Sequence, residues 1–462
     1  MLLKNKLDKI KSFLKNDNVL TKMEERYCYA KDASNARVSS VIPDLVVFVE
    51  TIEDVQKVVK YANEHEIPII ARGAGTNMVG ACVCTNGGII LNFSKMNKIL
   101  DVNTTNMTAR VQPGVILGDL KQKVDDLGLF YPPDPSNYKV STIGGSIAQS
   151  SGGAKSFKYG TTKDYILSLK VVTADGNILT LGSDTTKNSM GYHLSQLIVG
   201  SEGTLAIVVE ATLKLIPKPQ AKSIVMGYFS TVDETVKAVN NILSGHVFPA
   251  AIDFMDKNSM QTVESFLPSG LKTEYSYSLL VDLDGLSSTL NSQTEIVKKA
   301  LLAAGAKEVV IPVEIDDAER IWRARRSSFA AATRLAPDVI SDDIIVPRDK
   351  LSLMINKCNE LAAKYALKLC LVGHVGDGNI HPQFVLDLNN EFEFRNYTTA
   401  KAEMYNFATS LGGGISAEHG IGIEKLPYLK NTIDNGVIDY MELIKKAFDP
   451  KNILNPGKIF KI

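Results

Sequence analysis

Residues 131–160 read YPPDPSNYKVSTIGGSIAQSSGGAKSFKYG, a density of Pro, Gly and Ser that predicts a long loop system rather than regular structure. Loops of this length inside a compact domain usually carry function. Two more glycine-rich segments flank it, RGAGTNMVG at 72–80 and GSEGT at 200–204. Glycine suits a ligand cradle because bare backbone amides approach phosphate closely and positive φ carries no Cβ penalty. One such loop reads best as an ordinary turn; three in one domain, each abutting a strand pattern, favour a cradle. The first loop is not a dinucleotide-binding fingerprint. Met78 stands where the third glycine would be, and a strand pattern at 88–93, not a helix, follows. A nicotinamide cofactor is therefore disfavoured.

Working outward, Leu45 to Val49 reads as a buried strand, and Thr51 with Asp54 offers a capping box for a helix whose stripe is Val55, Val58, Val59 and Ala62. Strands are predicted at 67–71, 167–173 and 205–215, the last closing at Pro217 and Pro219, where paired prolines suit a domain boundary. Leu3, Leu7, Ile10, Phe13 and Leu14 are spaced for one face of an amphipathic helix over 2–26. From 222 to 410 strands (223–229, 277–283, 367–374) alternate with longer helices (after Thr231, and 292–304). That pattern predicts an α+β sheet with helices on one face. The last fifty residues read as helical. The division is 1–37 helical segment, 38–218 first domain, 219–410 second domain, and 411–462 a helical segment returning to the first domain and the active site.

Composition narrows the function. The 462 residues hold 51 Lys+Arg against 51 Asp+Glu, and this zero net charge argues against a nucleic-acid binder. At about 150 residues per domain the length suggests two or three domains. No apolar run is long enough to span a bilayer, and the charged start, MLLKNKLDKIKSFLKNDN, lacks the core of a secretion signal. The five cysteines, at 28, 82, 84, 358 and 370, suit reduced cytoplasmic thiols, and without a C-x-x-C they make an iron–sulfur cluster improbable. A neutral cytoplasmic enzyme is expected.

Three of the six histidines fall between 374 and 419. In GHVGDGNIHP, 373–382, Asp377-Gly378 is a hairpin signal between strand-like runs. With those two as the turn, pairing runs 376 with 379, 375 with 380 and 374 with 381. His374 would then face His381 directly, at about 5 Å between Cβ atoms. Such a pair fits two ligands converging on one ion and equally a satisfied polar pair. GGGISAEHGIG, 412–422, sets Glu418 beside His419. His65, His193 and His246 have no partner pattern and read as surface or structural residues.

The combination RGAGTN, PPDPSN, STIGGSIAQSSGG, KYGTTKDYI and GSEGTLAIV resembles the FAD-binding domain of the vanillyl-alcohol oxidase / p-cresol methylhydroxylase superfamily. The downstream motifs narrow the resemblance to its FAD-linked D-lactate dehydrogenase / glycolate oxidase / D-2-hydroxyglutarate dehydrogenase branch. It implies an α+β protein: a two-part FAD-binding domain plus an α+β cap, or substrate, domain with an antiparallel sheet. It further implies that Arg72, Gly73, Ala74, Gly75, Thr76, Asn77 and Gly80 cradle the FAD pyrophosphate. Pro133, Asp134, Thr142, Gly145, Ser146, Gly152, Gly153, Tyr159, Gly160, Glu202, Gly203 and Ile207 would line the cofactor. Covalent relatives often carry His where this chain has Thr76-Asn77, and the second loop lacks Cys, so a non-covalent FAD is expected. The same resemblance makes His374, His381 and Glu418 ligands of a divalent metal (Zn, Mn or Fe), and His419 the catalytic base.

Trp322-Arg323-Ala324-Arg325-Arg326 is a basic run that is ordinarily a solvated helix face, yet the family pattern W-x-x-R gives Arg325 the substrate carboxylate. D-2-hydroxyglutarate relatives place a Lys before a D-x-x-x-P segment to hold a second carboxylate. Here Ser341 precedes Asp342-Asp343, which favours a monocarboxylate. The expected activity is oxidation of a small D-2-hydroxy acid, D-lactate favoured, by hydride transfer to flavin N5. An external acceptor would take the electrons: electron-transfer flavoprotein, as in the anaerobe-type relatives, an iron–sulfur subunit, or quinone. The alternatives are a glycolate or D-2-hydroxyglutarate dehydrogenase component, an alkyl-glycerone-phosphate synthase-like transferase, and a non-catalytic flavin subunit.

Overall fold

The computed structural model describes residues 9–34 and 40–460. The chain divides into two compact units, Met1–Ser151 with Thr161–Lys218 and Glu418–Ile462, and Gly152–Gly160 with Pro219–Ala417.

In the first unit Leu45–Phe48 and Ile69–Arg72 both pair in parallel with Ile89–Asn92. Parallel neighbours need a crossover, and helix Ile52–His65 follows the first of these strands. Thr51 and Asp54 close its capping box, worth about 1 kcal/mol, and Val55, Val58, Val59 and Ala62 are the residues it buries. These pack with Ile69, Leu91 and Phe93, and with Val172 and Val209 of a five-stranded antiparallel sheet. That sheet runs in the order Ile99–Asn103, Thr108–Val111, Ile207–Lys214, Ile166–Val172, Ile178–Gly182. Leu454 bridges to Ile69 and joins the same core, so the carboxy-terminal segment belongs to this unit.

Local pattern misleads at both ends. A continuous helix over 2–26 is not formed: residues 9–11 are helical, a 3-10 turn covers Asn16–Asn18, and Val19–Leu20 pairs with Val47 and Val46. At the break the Asn18 side chain bonds to Glu50 and Lys95; Leu3 and Leu7 lie outside the described residues. Among the described residues after 412 there is one α-helix, Asn435–Phe448, and a 3-10 turn at Leu426–Asn431, the rest being irregular. The 131–160 stretch does hold two short helices, Ile143–Gln149, capped by Thr142, and Ser156–Tyr159.

The second unit is built on an antiparallel sheet ordered Glu308–Val310, Ala221–Phe229, Tyr277–Gly285, Ala251–Asp256, Lys368–His374, Asn379–Leu386, Asp338–Ser341, with Ile344–Ile345 also on Asn379–Leu386. One face packs Met226, Tyr228, Met255, Leu280 and Val372 under Met260, Ile321, Trp322 and Ala324 of helices Lys257–Phe266 and Ile315–Arg326. On the other, a Cβ at Gly227 would touch Leu301 of helix Ser287–Ala304. Helices therefore cover both faces rather than one, as fully buried strands such as Ala251–Asp256 and Asn379–Leu386 require.

Gly152–Gly160 joins this unit through buried charges. Lys158 Nζ lies 2.6 Å from Asp284 Oδ1, Tyr159 donates to the same oxygen at 2.8 Å, and Lys155 Nζ lies 3.5 Å from Asp282.

The 373–382 hairpin forms with a different register. His374 pairs with Asn379, Gly373 with Ile380 and Val372 with His381, so the loop is Val375 to Gly378, four residues rather than two. The two-residue shift keeps His374 and His381 on one face as diagonal neighbours, with ring centroids 5.2 Å apart. Gly378 fixes the loop: its φ is +89° and a Cβ would fall 2.1 Å from the Val346 carbonyl oxygen. Gly378→Ala is accordingly expected to cost about 1–3 kcal/mol, read as a lower urea midpoint; an unchanged midpoint would remove this close approach as the cause of the register.

Candidate active site

In the second unit the ladder pairs Asp253 with His374, so His374, His381 and Asp253 share one sheet face. Asp253 Oδ1 lies 2.8 Å from His374 Nδ1, and Asp253 Oδ2 lies 2.9 Å from Arg325 Nε. All four side chains are buried: Asp253 is 1%, Arg325 4%, His374 5% and His381 6% exposed. Burial opposes ionisation of Asp253, but the Arg325 charge and the contact with His374 outweigh it and hold the carboxyl below its ordinary value. Helix Ile315–Arg326 explains why Arg325 is not on a solvated face: Ile321, Trp322 and Ala324 pack on the sheet and carry it inward, while Arg323 stays exposed. The Arg325 Nη2 is buried and makes no hydrogen bond among the described residues.

His381 directs Nδ1 toward the Asp342 carbonyl oxygen at 3.3 Å and lies 3.8 Å from Asp343 Oδ1. Asp342 is held by Tyr405, Tyr397 and Lys401. Asp343, fully buried, accepts from Asn379, from the Ser416 hydroxyl and from the Ala417 amide. Glu418 is the next residue in the chain. Nδ1 of each imidazole thus faces an oxygen, the kind of contact that fixes a histidine's tautomer and ring orientation. Of this face, Asp343 and His381 belong to a group of side chains that could hold a divalent ion, whereas His374 falls outside that group. Ser341 pairs across the sheet with Gln383 and brings no cation.

In the first unit the 72–80 loop starts from strand Ile69–Arg72. Arg72 spends its guanidinium on the Cys82 and Lys31 carbonyl oxygens and lies over the Tyr29 ring. At Gly75, φ is +72° and a Cβ would meet that guanidinium at 2.2 Å. Asn77 accepts from the Val79 and Ala81 amides and donates to the His419 carbonyl oxygen at 3.3 Å. A Cβ at Gly73 would lie 2.1 Å from Thr142 Oγ1, which closes the first loop on the second. Tyr131 Oη, Ser141 Oγ, Ser146 Oγ and Gln149 Oε1 are buried without a hydrogen bond among the described residues. Each such atom costs about 1–3 kcal/mol unless a polar group meets it, so the loop fits a polar cofactor. Ile207 sits instead in the apolar core. Of the proposed cofactor residues, Gly152, Gly153, Tyr159 and Gly160 belong to the second unit and the others to the first.

Glu202 accepts from the Ile421 and Gly422 amides at 2.7 and 2.9 Å, two and three residues after His419. Burial pushes its carboxyl up to about 7, against those amides and against Lys458 and Lys425. Cys82, raised to about 12 by burial, is no thiolate nucleophile.

Sequence reasoning missed Asp253, and it quoted Asp342 and Asp343 without a role of their own. The available signal was a lone carboxylate inside the apolar strand AIDFMD, 251–256.

The model of the FAD binding domain matches residues 43–182, and that of the FAD linked oxidases C-terminal domain matches 218–459. Glycolate oxidase subunit GlcD of Bacillus subtilis is 40% identical over 435 residues, 94% of this chain and 92% of its own. D-lactate dehydrogenase of Anaerostipes hadrus is 36% identical over 90% of this chain and 89% of its own. Among solved structures, p-cresol methylhydroxylase with substrate bound superposes with a TM-score of 0.83 at 18% identity, over 99% of this chain and 96% of that one, and so shares the fold. Among the described residues no helix is long and apolar enough to cross a membrane.

A raised carboxyl binds a proton in the folded protein that it loses when unfolded, so its stabilising contribution is present below the ordinary value near 4.5 and is lost as pH rises through about 7. The melting temperature of the wild type relative to Glu202→Gln should therefore fall between pH 5 and pH 8; a difference independent of pH would refute a raised Glu202.

Proposed function

The chain belongs to the FAD-linked oxidases and is an FAD-dependent oxidoreductase; from that premise we propose that it oxidises a small D-2-hydroxy acid, D-lactate by preference, to the 2-oxo acid. The observation that carries the reading is the buried juxtaposition of His374 and Arg325 on one carboxylate. An imidazole able to hold a metal and a planar cationic fork are what a hydroxyl next to a carboxylate requires.

Arg325 binds the substrate carboxylate and fixes C2. In the second unit His374 and His381 would hold a divalent ion, with Asp343 anchoring Ser416 and Ala417; Glu418 keeps the ligand role that the family resemblance implies. His419 takes the proton from the substrate hydroxyl oxygen, on a segment braced by Glu202 and Asn77. When bound, the ion would supply Lewis acidity that lowers the hydroxyl pKa, and a non-covalent FAD would supply the acceptor for the C2 hydride. Re-oxidation is assigned to a separate protein acceptor, with electron-transfer flavoprotein favoured. Arg325 as the fixed cation and Ser341 in place of a lysine support a monocarboxylate over D-2-hydroxyglutarate.

Anaerobic mixing with D-lactate, glycolate and D-2-hydroxyglutarate tests the reading through bleaching of the oxidised flavin band. D-lactate should reduce the flavin fastest, and faster reduction by the diacid would overturn the substrate assignment. His419→Ala should slow reduction about 10²–10⁴-fold with FAD retained; near-normal reduction would remove His419 from proton transfer.

A further inference from the structure

We propose that Asp253 is a positioning residue whose single carboxylate sets the metal-holding imidazole of His374 and the substrate-binding guanidinium of Arg325 in one fixed relation, matched to acids whose hydroxyl lies on the carbon next to the carboxylate. The inference deepens the dehydrogenase reading and rests on it.

The strand Ala251–Asp256 is buried along its whole length, and at Asp253 a carboxylate replaces the apolar side chain that the core would otherwise take. A buried ion pair is a poor source of stability, since desolvation cancels most of the attraction. What such a pair does well is fix geometry. Asp253 is placed directly opposite His374 by the ladder, and Oδ1 reaches Nδ1 at 2.8 Å. This contact selects the tautomer with the proton on Nδ1, and makes Nε2 the ligand atom.

The other oxygen meets Arg325 at Nε, 2.9 Å away, the stem side of the guanidinium. This is a contact of charge rather than a hydrogen bond, since Nε, Nη2 and Oδ2 are all buried without a hydrogen bond among the described residues, and the fork keeps donors for another anion. A ligand carboxylate is the group that completes a bidentate pair with those donors. The imidazole and the fork come from elements distant in sequence, the Lys368–His374 strand and the Ile315–Arg326 helix. Both take their orientation from the two oxygens of one group, so the hydroxyl-binding and carboxylate-binding points cannot drift apart independently. A 3-hydroxy acid, one carbon longer between its two groups, is mismatched.

The test uses the flavin-loaded full chain with Zn²⁺ and D-lactate as probes. Asp253→Asn keeps size and an acceptor for His374 but removes the charge. It should retain FAD, bind Zn²⁺ about 10–100-fold more weakly in chelator competition, and raise the D-lactate concentration that half-saturates flavin reduction about tenfold or more. The wild-type preference for D-lactate over D-3-hydroxybutyrate should shrink with it. Arg325→Gln alone should weaken D-lactate, and adding Asp253→Asn to it should weaken Zn²⁺ further with little additional effect on D-lactate, because the fork is already gone. A Zn²⁺ affinity and D-lactate saturation in Asp253→Asn within about twofold of wild type, or fully additive effects on D-lactate, would overturn the inference. Should the single variant lose its flavin or unfold, the double variant, which removes both buried charges together, decides: Zn²⁺ affinity equal to that of Arg325→Gln overturns it. If the wild type is reduced by no 2-hydroxy acid, the dehydrogenase reading falls by itself, while the Zn²⁺ comparison still reports on the coupling of Asp253 to His374.

Discussion

A β-strand repeats its face every second residue, and that periodicity governs the polar centre of the second unit. His374 and His381 lie on adjacent strands and Asp253 on the next, and the ladder sets all three on one side. The same face carries the apolar residues that seat the Arg325 helix. A one-residue slip in the hairpin would turn His381 to the opposite face; the two-residue difference between the expected and observed registers leaves it in place. The Val375 to Gly378 loop is therefore the constraint on which the donor set depends. Its hold is steric, through the approach of Gly378 to the Val346 carbonyl.

The burial of charge follows from that arrangement. Asp253, Asp342, Asp343 and Glu202 are among the buried carboxylates, and each has several donors or cations around it. Asp342 and Asp343 are neighbours in sequence with separate duties. The first meets two tyrosines and Lys401, the second fixes the Ser416–Ala417 backbone. In the first unit Glu202 binds the backbone just after His419, and Lys445, Asn455 and Lys458 tie the carboxy-terminal segment to carbonyls of the glycine-rich loops and their neighbours. Outside helix Asn435–Phe448 that segment has little regular structure, and these bonds hold it in place.

Much of the fold was legible wherever a signal is completed within a few residues. The capping boxes of Thr51 with Asp54 and Thr231 with Glu234 begin helices where expected, and the apolar stripe after Thr51 is the buried one. The glycine loops and the histidine motifs announced the chemistry by composition. The expected amino-terminal helix does not continue to residue 26, because strand pairing of Val19 and Leu20 outweighs the helical spacing there. Helices were expected on one sheet face only, but the hydrophobic runs of the second unit are buried on both sides and need two covers.

The inventory of groups and the elements that bear them follow from local sequence, because caps, apolar stripes and turn glycines act over about one helical turn. The pairing of those groups does not. Asp253 gave no sign of its partners, since a carboxylate in an apolar strand is defined only by what folds against it. Its meeting with His374 depends on strand order, and its meeting with Arg325 depends on which face a helix distant in sequence covers. Those are long-range choices, made by burial of whole sheet faces rather than by any neighbouring residue.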